Sequence, residues 1–286
     1  MQANEQLHKI RHSLAHIMAA AIQKIKPEAN FGVGPAIDNG FYYDFMVDKN
    51  FSEDELSKIE KEMRTIIGQK LDFEREEWPI EQAIEYFRGK GQDFKVELLD
   101  DLRTKGTTAV ADAGDADLAG GSESSLKQVS IYKTGSFVDL CRGPHVKNTS
   151  EIPADCFKLS KTSGVYWRGK ETNPQMQRIY GLAFESKAKL KDYLHMLEEA
   201  EKRDHRKLGQ ELDLFVFSDL VGSGLPLYTP RGTVLISQLK EALNEIATRQ
   251  GMQPVSIPHL AKLDIYKISG HAEKFSDELF KVESHY

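Results

Sequence analysis

Four side chains in this sequence could share one task. His12 and His16 stand four residues apart near the start of the chain, and Cys141 and His145 repeat that spacing far downstream. Side chains four apart on a helix lie on one face, about 5–6 Å apart at Cβ. Two such pairs brought together can hold a metal ion through a thiolate and three imidazoles. They can also activate water in a small pocket, because an unperturbed imidazole titrates near 6.5. Both uses lead toward hydrolysis. The helix of the zinc metalloproteases is a poor fit, because Ser13 stands where that motif carries its catalytic Glu.

The elements that must position these residues follow from periodicity. Leu7, Ile10, Leu14, Ile17, Ala21 and Ile25 predict a helix over about 5–26, stopped by Pro27, with His12 and His16 off its apolar stripe. His8 extends their face by one turn. The Asn39-Gly40 step is a hairpin signal, and 41–45 reads as a strand. Ser52 and Glu55 make a capping-box pattern ahead of a helix whose buried face is Leu56, Ile59, Met63 and Ile66. Pro79 opens a shorter helix. Residues 105–125 are rich in Gly, Ala, Ser and Asp and read as a mobile loop. Strands are expected over 129–133 and 136–141, and a further pair over 156–161 and 165–168. A helix over 186–204 ends in a run of charge. Beyond it come a strand near 212–217, a helix over 232–249 and a strand over 254–257.

Composition narrows the class. With 286 residues, 40% hydrophobic and 29% charged, the chain reads as a soluble globular protein with room for more than one domain. No apolar run approaches the roughly 20 residues of a membrane span. Two cysteines make no disulfide framework, and a reducing cytoplasm is the simplest setting. The net charge of −6 argues against wrapping nucleic acid but leaves room for a local basic patch at one RNA end.

Longer motifs extend the reading. Arg11-His-Ser-Leu-Ala-His16, Val33-Gly-Pro-Ala-Ile-Asp-Asn-Gly-Phe-Tyr-Tyr-Asp44 and Val138-Asp-Leu-Cys-Arg-Gly-Pro-His-Val146 occur together with Tyr166-Trp-Arg-Gly169, Gln177-Arg-Ile-Tyr-Gly181 and Lys202-Arg-Asp-His-Arg-Lys-Leu-Gly209. In these stretches the chain resembles the threonyl-tRNA synthetases. The editing domain of alanyl-tRNA synthetases shares the His and Cys pairs but is not expected to share the block around Tyr43.

The resemblance implies an α+β fold, an antiparallel sheet packed against helices. It implies an editing domain over 1–185, a helical connector over 186–208, and over 209–286 the truncated N-terminal part of a class II catalytic core, containing the first signature motif of the dimer interface. The implied activity is hydrolysis of serine wrongly attached to threonine tRNA. One methyl gives only about 1–3 kcal/mol of discrimination, so a second, size-excluding pocket is needed. His12, Lys95, Asp139 and Cys141 are the implied catalytic residues, with His12 as general base or water positioner. His16, Gly34, Tyr43 and His145 would line the pocket, Tyr43 and Gly34 meeting the terminal adenosine. In the alanyl branch the four soft ligands bind zinc; in the threonyl branch the resemblance implies no metal there. ATP, magnesium and a catalytic zinc belong to later parts of the core that this sequence lacks, so ligation is not expected of this chain alone. The full-length relative would be a cytoplasmic homodimer partnered by threonine tRNA, with no membrane. The competing readings are a zinc-dependent deacylase of the alanyl type and a non-catalytic tRNA-binding or dimerisation fragment.

Overall fold

The apolar stripe of the first helix organises everything near it. In a computed structural model, which describes residues 2–108, 126–275 and 278–282, this helix, α1, runs Gln2–Ile25. Leu14, Ile17, Met18 and Ile22 are buried in one core, each worth about 1.5–3 kcal/mol when removed from water. Residues 1–200 form one compact unit and 201–286 a second.

In the first unit α1 packs on a five-stranded antiparallel sheet. Its path is β1 (Asn30–Phe31), β3 (Gly40–Met46), β8 (Gln175–Ala183) and β7 (Phe157–Tyr166), with β2 (Ala36–Ile37) pairing β3. Helix α2 (Glu53–Gly68) covers the other side of α1, and its N-terminus carries the expected capping box. A separate three-stranded antiparallel sheet joins β4 (Glu74–Pro79), β5 (Gln128–Thr134) and β6 (Phe137–Leu140). Helices α3 (Ile80–Gly89) and α4 (Asp93–Lys105) pack with that sheet into a second core, which includes Ile84, Phe87, Leu98, Leu99, Ile131 and Trp167. The long helix α5 (Lys187–Lys202) ends the unit.

The architecture is α+β with antiparallel pairing, but two sheets stand where one was expected. The strand pair expected over 156–161 and 165–168 is instead one long strand, β7, bulged between Leu159 and Lys161 and paired throughout with β8. Arg168 lies beyond it, in a 3₁₀ turn at φ 56°. Strands β4 and β8 and helix α4 had no expectation. Of the expected 105–125 loop, α4 claims the start, closing on a left-handed Gly106. Residues 109–125 lie outside the described residues.

The second unit is thinner. Asp204 caps α6 (His205–Glu211), accepting from the Arg206 amide at 2.8 Å. A two-residue hairpin pairs β9 (Phe215–Val216) with β10 (Leu227–Tyr228), a shorter strand than the expected 212–217. Thr229 caps the 20-residue helix α7 (Pro230–Arg249). Two short helices follow, α8 (Leu263–Ile268) and α9 (His271–Lys274). The strand expected over 254–257 does not form: Val255 and Ile257 are exposed and have no ladder partner among the described residues, and a strand without a partner leaves its backbone groups to water.

Candidate functional site

Helix α1 delivers His12, Ser13 and His16 to the end of β6. Arg11 anchors the helix here, its Nε donating to the Ala183 carbonyl at 3.0 Å and one terminal nitrogen to that of Ile37 at 3.4 Å. On the other side the chain leaves β6 through Cys141-Arg-Gly-Pro-His145. That turn needs Gly143, which sits at φ +75°; a Cβ there would lie 2.3 Å from the Tyr132 hydroxyl.

The two pairs meet. The Cys141 Sγ lies 3.4 Å from His12 Nε2 and 3.2 Å from His145 Nε2, and the Gly143 amide donates to it at 3.2 Å. One ligand atom from each of His12, His16, Cys141 and His145 falls within 4.8 Å of the others. The rings of His12 and His145 are 4.2 Å apart and those of His16 and His145 4.4 Å. Phe73 stacks on His145 at 5.0 Å and Tyr132 meets its edge. The imidazoles pay for this crowding with their charge. Burial, helped by the neighbouring imidazoles, pushes His12 down to about 3. Burial, with the Lys95 ammonium adding to it, takes His16 to about 3 as well. Burial likewise drives His145 well below its ordinary value. All three are neutral at pH 7, the form that ligates zinc, and the donor types fit zinc. His12 Nδ1 is buried without a hydrogen-bond partner, although the Pro144 carbonyl lies close enough to favour its charged form.

A second constellation touches the first through His16. Lys95, on α4, is 3% exposed, and Asp139, on β6, is 2% exposed. Lys95 Nζ lies 2.5 Å from Asp139 Oδ1 and donates to the Tyr43 hydroxyl at 3.0 Å. That hydroxyl donates to Asp139 Oδ2 at 2.6 Å, and His16 Nδ1 is 3.6 Å from the same oxygen. Burial and the Asp139 carboxylate hold the Tyr43 phenol well above its ordinary value, so it stays a donor. A cavity of about 250 Å³ reaches Lys95 and Asp139, walled by Phe31, Tyr86, Lys90 and Gln92.

The structure therefore brings together His12, His16, Cys141 and His145, and beside them Lys95, Asp139 and Tyr43. Tyr43 differs from expectation: it is fully buried, and its hydroxyl is spent on the ion pair. Gly34 lies against the Tyr43 ring, where a Cβ would sit 2.0 Å from Cδ2. His8 is exposed at the outer end of the histidine face, 6.5 Å from His12 by ring centres. Sequence reasoning missed the supports of His145, which are Ser13, Phe73 and Tyr132. The signal for Tyr132 was available, since it alternates with Ser130 along a strand that runs beside the cysteine.

Residues 129–180 match the family described as "Threonyl and Alanyl tRNA synthetase second additional domain". Over 97% of its length the chain is 48% identical to a threonine–tRNA ligase of Gloeobacter violaceus, covering 41% of that protein. It is 45% identical over 98% of its length to the threonine–tRNA ligase of Thermosynechococcus vestitus, covering 42% of it. The threonine–tRNA ligase of Bdellovibrio bacteriovorus is 44% identical over 96% of the chain, with 39% of the relative covered. The chain thus spans about two-fifths of the length of these curated relatives.

Proposed function

The chain belongs to the threonyl-tRNA synthetase family, and from that premise we propose that its first 185 residues hydrolyse the ester of serine wrongly joined to threonine tRNA. The observation that carries this is the buried Lys95–Asp139–Tyr43 group set against a cluster of neutral imidazoles. Burying an ion pair gives weak or no net stability. A fixed positive charge in a dry site, however, suits an oxyanion that forms only in the transition state.

In the reaction a water oxygen attacks the seryl carbonyl and the bond from that carbon to the ribose oxygen breaks. The ribose oxygen takes one proton from the water, and the released acid ionises. With its conjugate acid near 3, His12 is a poor store for that proton. Its work is to hydrogen-bond the water and aim it. The Lys95 ammonium stabilises the oxyanion, and Asp139 holds the serine ammonium or hydroxyl while keeping Lys95 in place. Cys141, His16 and His145 form the wall that limits the size of the side chain admitted. The terminal nucleoside would enter by the cavity that reaches Lys95 and Asp139, and Tyr43 acts through the ion pair.

No step above requires a metal. If zinc were bound, His12, His16, Cys141 and His145 would hold it, and it would supply a Lewis acid. Residues 186–208 are assigned as a connector and 209–286 as the opening of a class II core. ATP-dependent threonylation, with its magnesium and zinc, and a cytoplasmic homodimer are assigned to the longer protein. The exposed apolar row Leu235, Leu239, Leu243 and Ile246 on α7 supports that reading.

The test mixes the purified chain with seryl- and threonyl-charged threonine tRNA, with and without chelator. Selective, chelator-resistant release of serine is expected. Release that stops with chelator means an alanyl-type zinc deacylase, and tight tRNA binding without release means a non-catalytic fragment.

A further inference from the structure

Ser13 stands between His12 and His16 on α1, and the hydrolysis reading gives it no task. It is fully buried. Serine inside a helix commonly bonds back to the carbonyl one turn earlier, but this one points across to the other half of the site. Its Oγ is 3.1 Å from His145 Nδ1 and accepts the Val146 amide at 3.1 Å.

The proton inventory at that oxygen constrains the ring beyond it. Val146 can only donate, so it occupies a lone pair of Oγ. The hydroxyl has one proton of its own, and a buried hydroxyl proton without an acceptor is costly. Among the described residues, the remaining partner is His145 Nδ1. Nδ1 must then be the bare nitrogen, since a neutral imidazole carries one N–H and one acceptor. The ring proton lies on Nε2, which faces the Cys141 Sγ at 3.2 Å. Stacking on Phe73, at an interplanar angle of 10°, keeps the ring in the plane that makes both bonds.

We propose that Ser13 is a positioning residue that selects the Nε2–H tautomer of His145 and through it fixes the Cys141 sulfur. The sulfur then receives two N–H donors, His145 Nε2–H and the Gly143 amide. It is pinned where His12 Nε2 meets it at 3.4 Å. That contact fixes the ring of His12, with Nε2 toward the sulfur, and so sets the side of the imidazole that the ester and its water meet. Ser13 thus acts on the reaction through three residues without touching substrate. The tautomer is a property of the folded chain by itself; only its kinetic consequence rests on the proposed hydrolysis.

The experiment is imidazole ¹⁵N NMR on the full chain in chelator, with His145 assigned by loss of its signals in His145→Gln. In the unsubstituted chain His145 should show a protonated Nε2 and a bare Nδ1. Ser13→Thr keeps the hydroxyl and should keep that pattern, whereas Ser13→Ala should mix the two tautomers. In seryl-tRNA hydrolysis, Ser13→Ala should lower kcat about tenfold with KM little changed, the low end of what the outer hydrogen-bond partners of metal-ligating histidines contribute, and Ser13→Thr should restore it. An Nδ1–H tautomer in the unsubstituted chain overturns the proposal, and that measurement does not depend on any variant folding. So does a folded Ser13→Ala protein with the original tautomer and rate, or a folded Ser13→Thr protein that rescues neither. If the unsubstituted chain releases no serine at all, the hydrolysis reading fails and the tautomer still decides the role of Ser13.

Discussion

The two halves of the site solve opposite problems. His12, His16, Cys141 and His145 are crowded until no imidazole can hold a charge. Two residues before Cys141, on β6, Asp139 stays bound to a buried lysine. The neutral half tolerates burial because each ring loses its proton; the charged half tolerates it only because Lys95, Asp139 and Tyr43 satisfy one another. The comparison teaches that the neutral half can shape and aim, while the charge a transition state needs must come from the other.

The largest effect should come from breaking the charged half. Lys95→Met leaves Asp139 buried without its counter-ion, a change that typically costs about 3–5 kcal/mol. Urea unfolding should show that loss, and serine release should be abolished. Adding Asp139→Leu should recover much of the stability but none of the activity. If the double variant is as unstable as the single one, the pair is not the self-contained unit described here.

Acid probes the neutral half. The folded values of His12 and His16, about 3, lie below the 6.5 of an unfolded chain. Between those limits the unfolded state takes up protons that the folded state refuses. Stability is therefore full above pH 6.5 and falls as pH drops toward 3. At pH 5 the loss should be about 2 kcal/mol for each of these histidines. Denaturant midpoints of metal-free protein at pH 7 and pH 5 check this, and His12→Gln should flatten the slope. The rate of serine release should show no imidazole limb between pH 6 and 7.5.

A smaller effect tests the hinge between the halves. In Gly34→Ala the new Cβ would meet the Tyr43 ring at 2.0 Å, and overpacking of this kind costs about 1–3 kcal/mol. The ring must shift, taking its hydroxyl off Asp139. Thermal unfolding should record the loss, and kcat should fall while the contacts of Cys141 with His12 and His145 are kept.

These halves differ equally in how far the sequence betrays them. The neutral half is written in spacing: two i,i+4 pairs and an apolar stripe from Leu7 to Ile25 place His12 and His16 on one face of a helix. The charged half has no such signature. Lys95 belongs with Leu98, Leu99 and Leu102 on the buried side of α4, but a lysine in an apolar row reads as a surface residue until its partner is known. That partner is on another element, so the family resemblance pointed to Lys95 and spacing did not. Strand β7 was misread for a related reason: its outward residues Lys158, Ser160 and Lys161 are polar and exposed, and only β8 makes the whole run a strand. The extended stretch at 254–257 fails in the opposite sense, being apolar enough for a strand but lacking a ladder partner among the described residues.

The smallest expected effect is that of removing metal, and it divides the two halves most sharply. If the neutral half only shapes and aims, dialysis against chelator should leave both unfolding and serine release unchanged, because the positive charge comes from Lys95. A resident zinc would instead tie His12 Nδ1 or Nε2 and the other three ligands into one unit, so that chelation would loosen α1 from β6 and stop the reaction. Cys141→Ser separates these cases without chelator. Serine keeps a polar group at the wall, so a metal-free site should lose rate only to the extent that His12 is less well held and should keep measurable serine release. In a zinc site it replaces a thiolate ligand with a weaker one and should remove metal and activity together, which metal analysis of the purified variant would record.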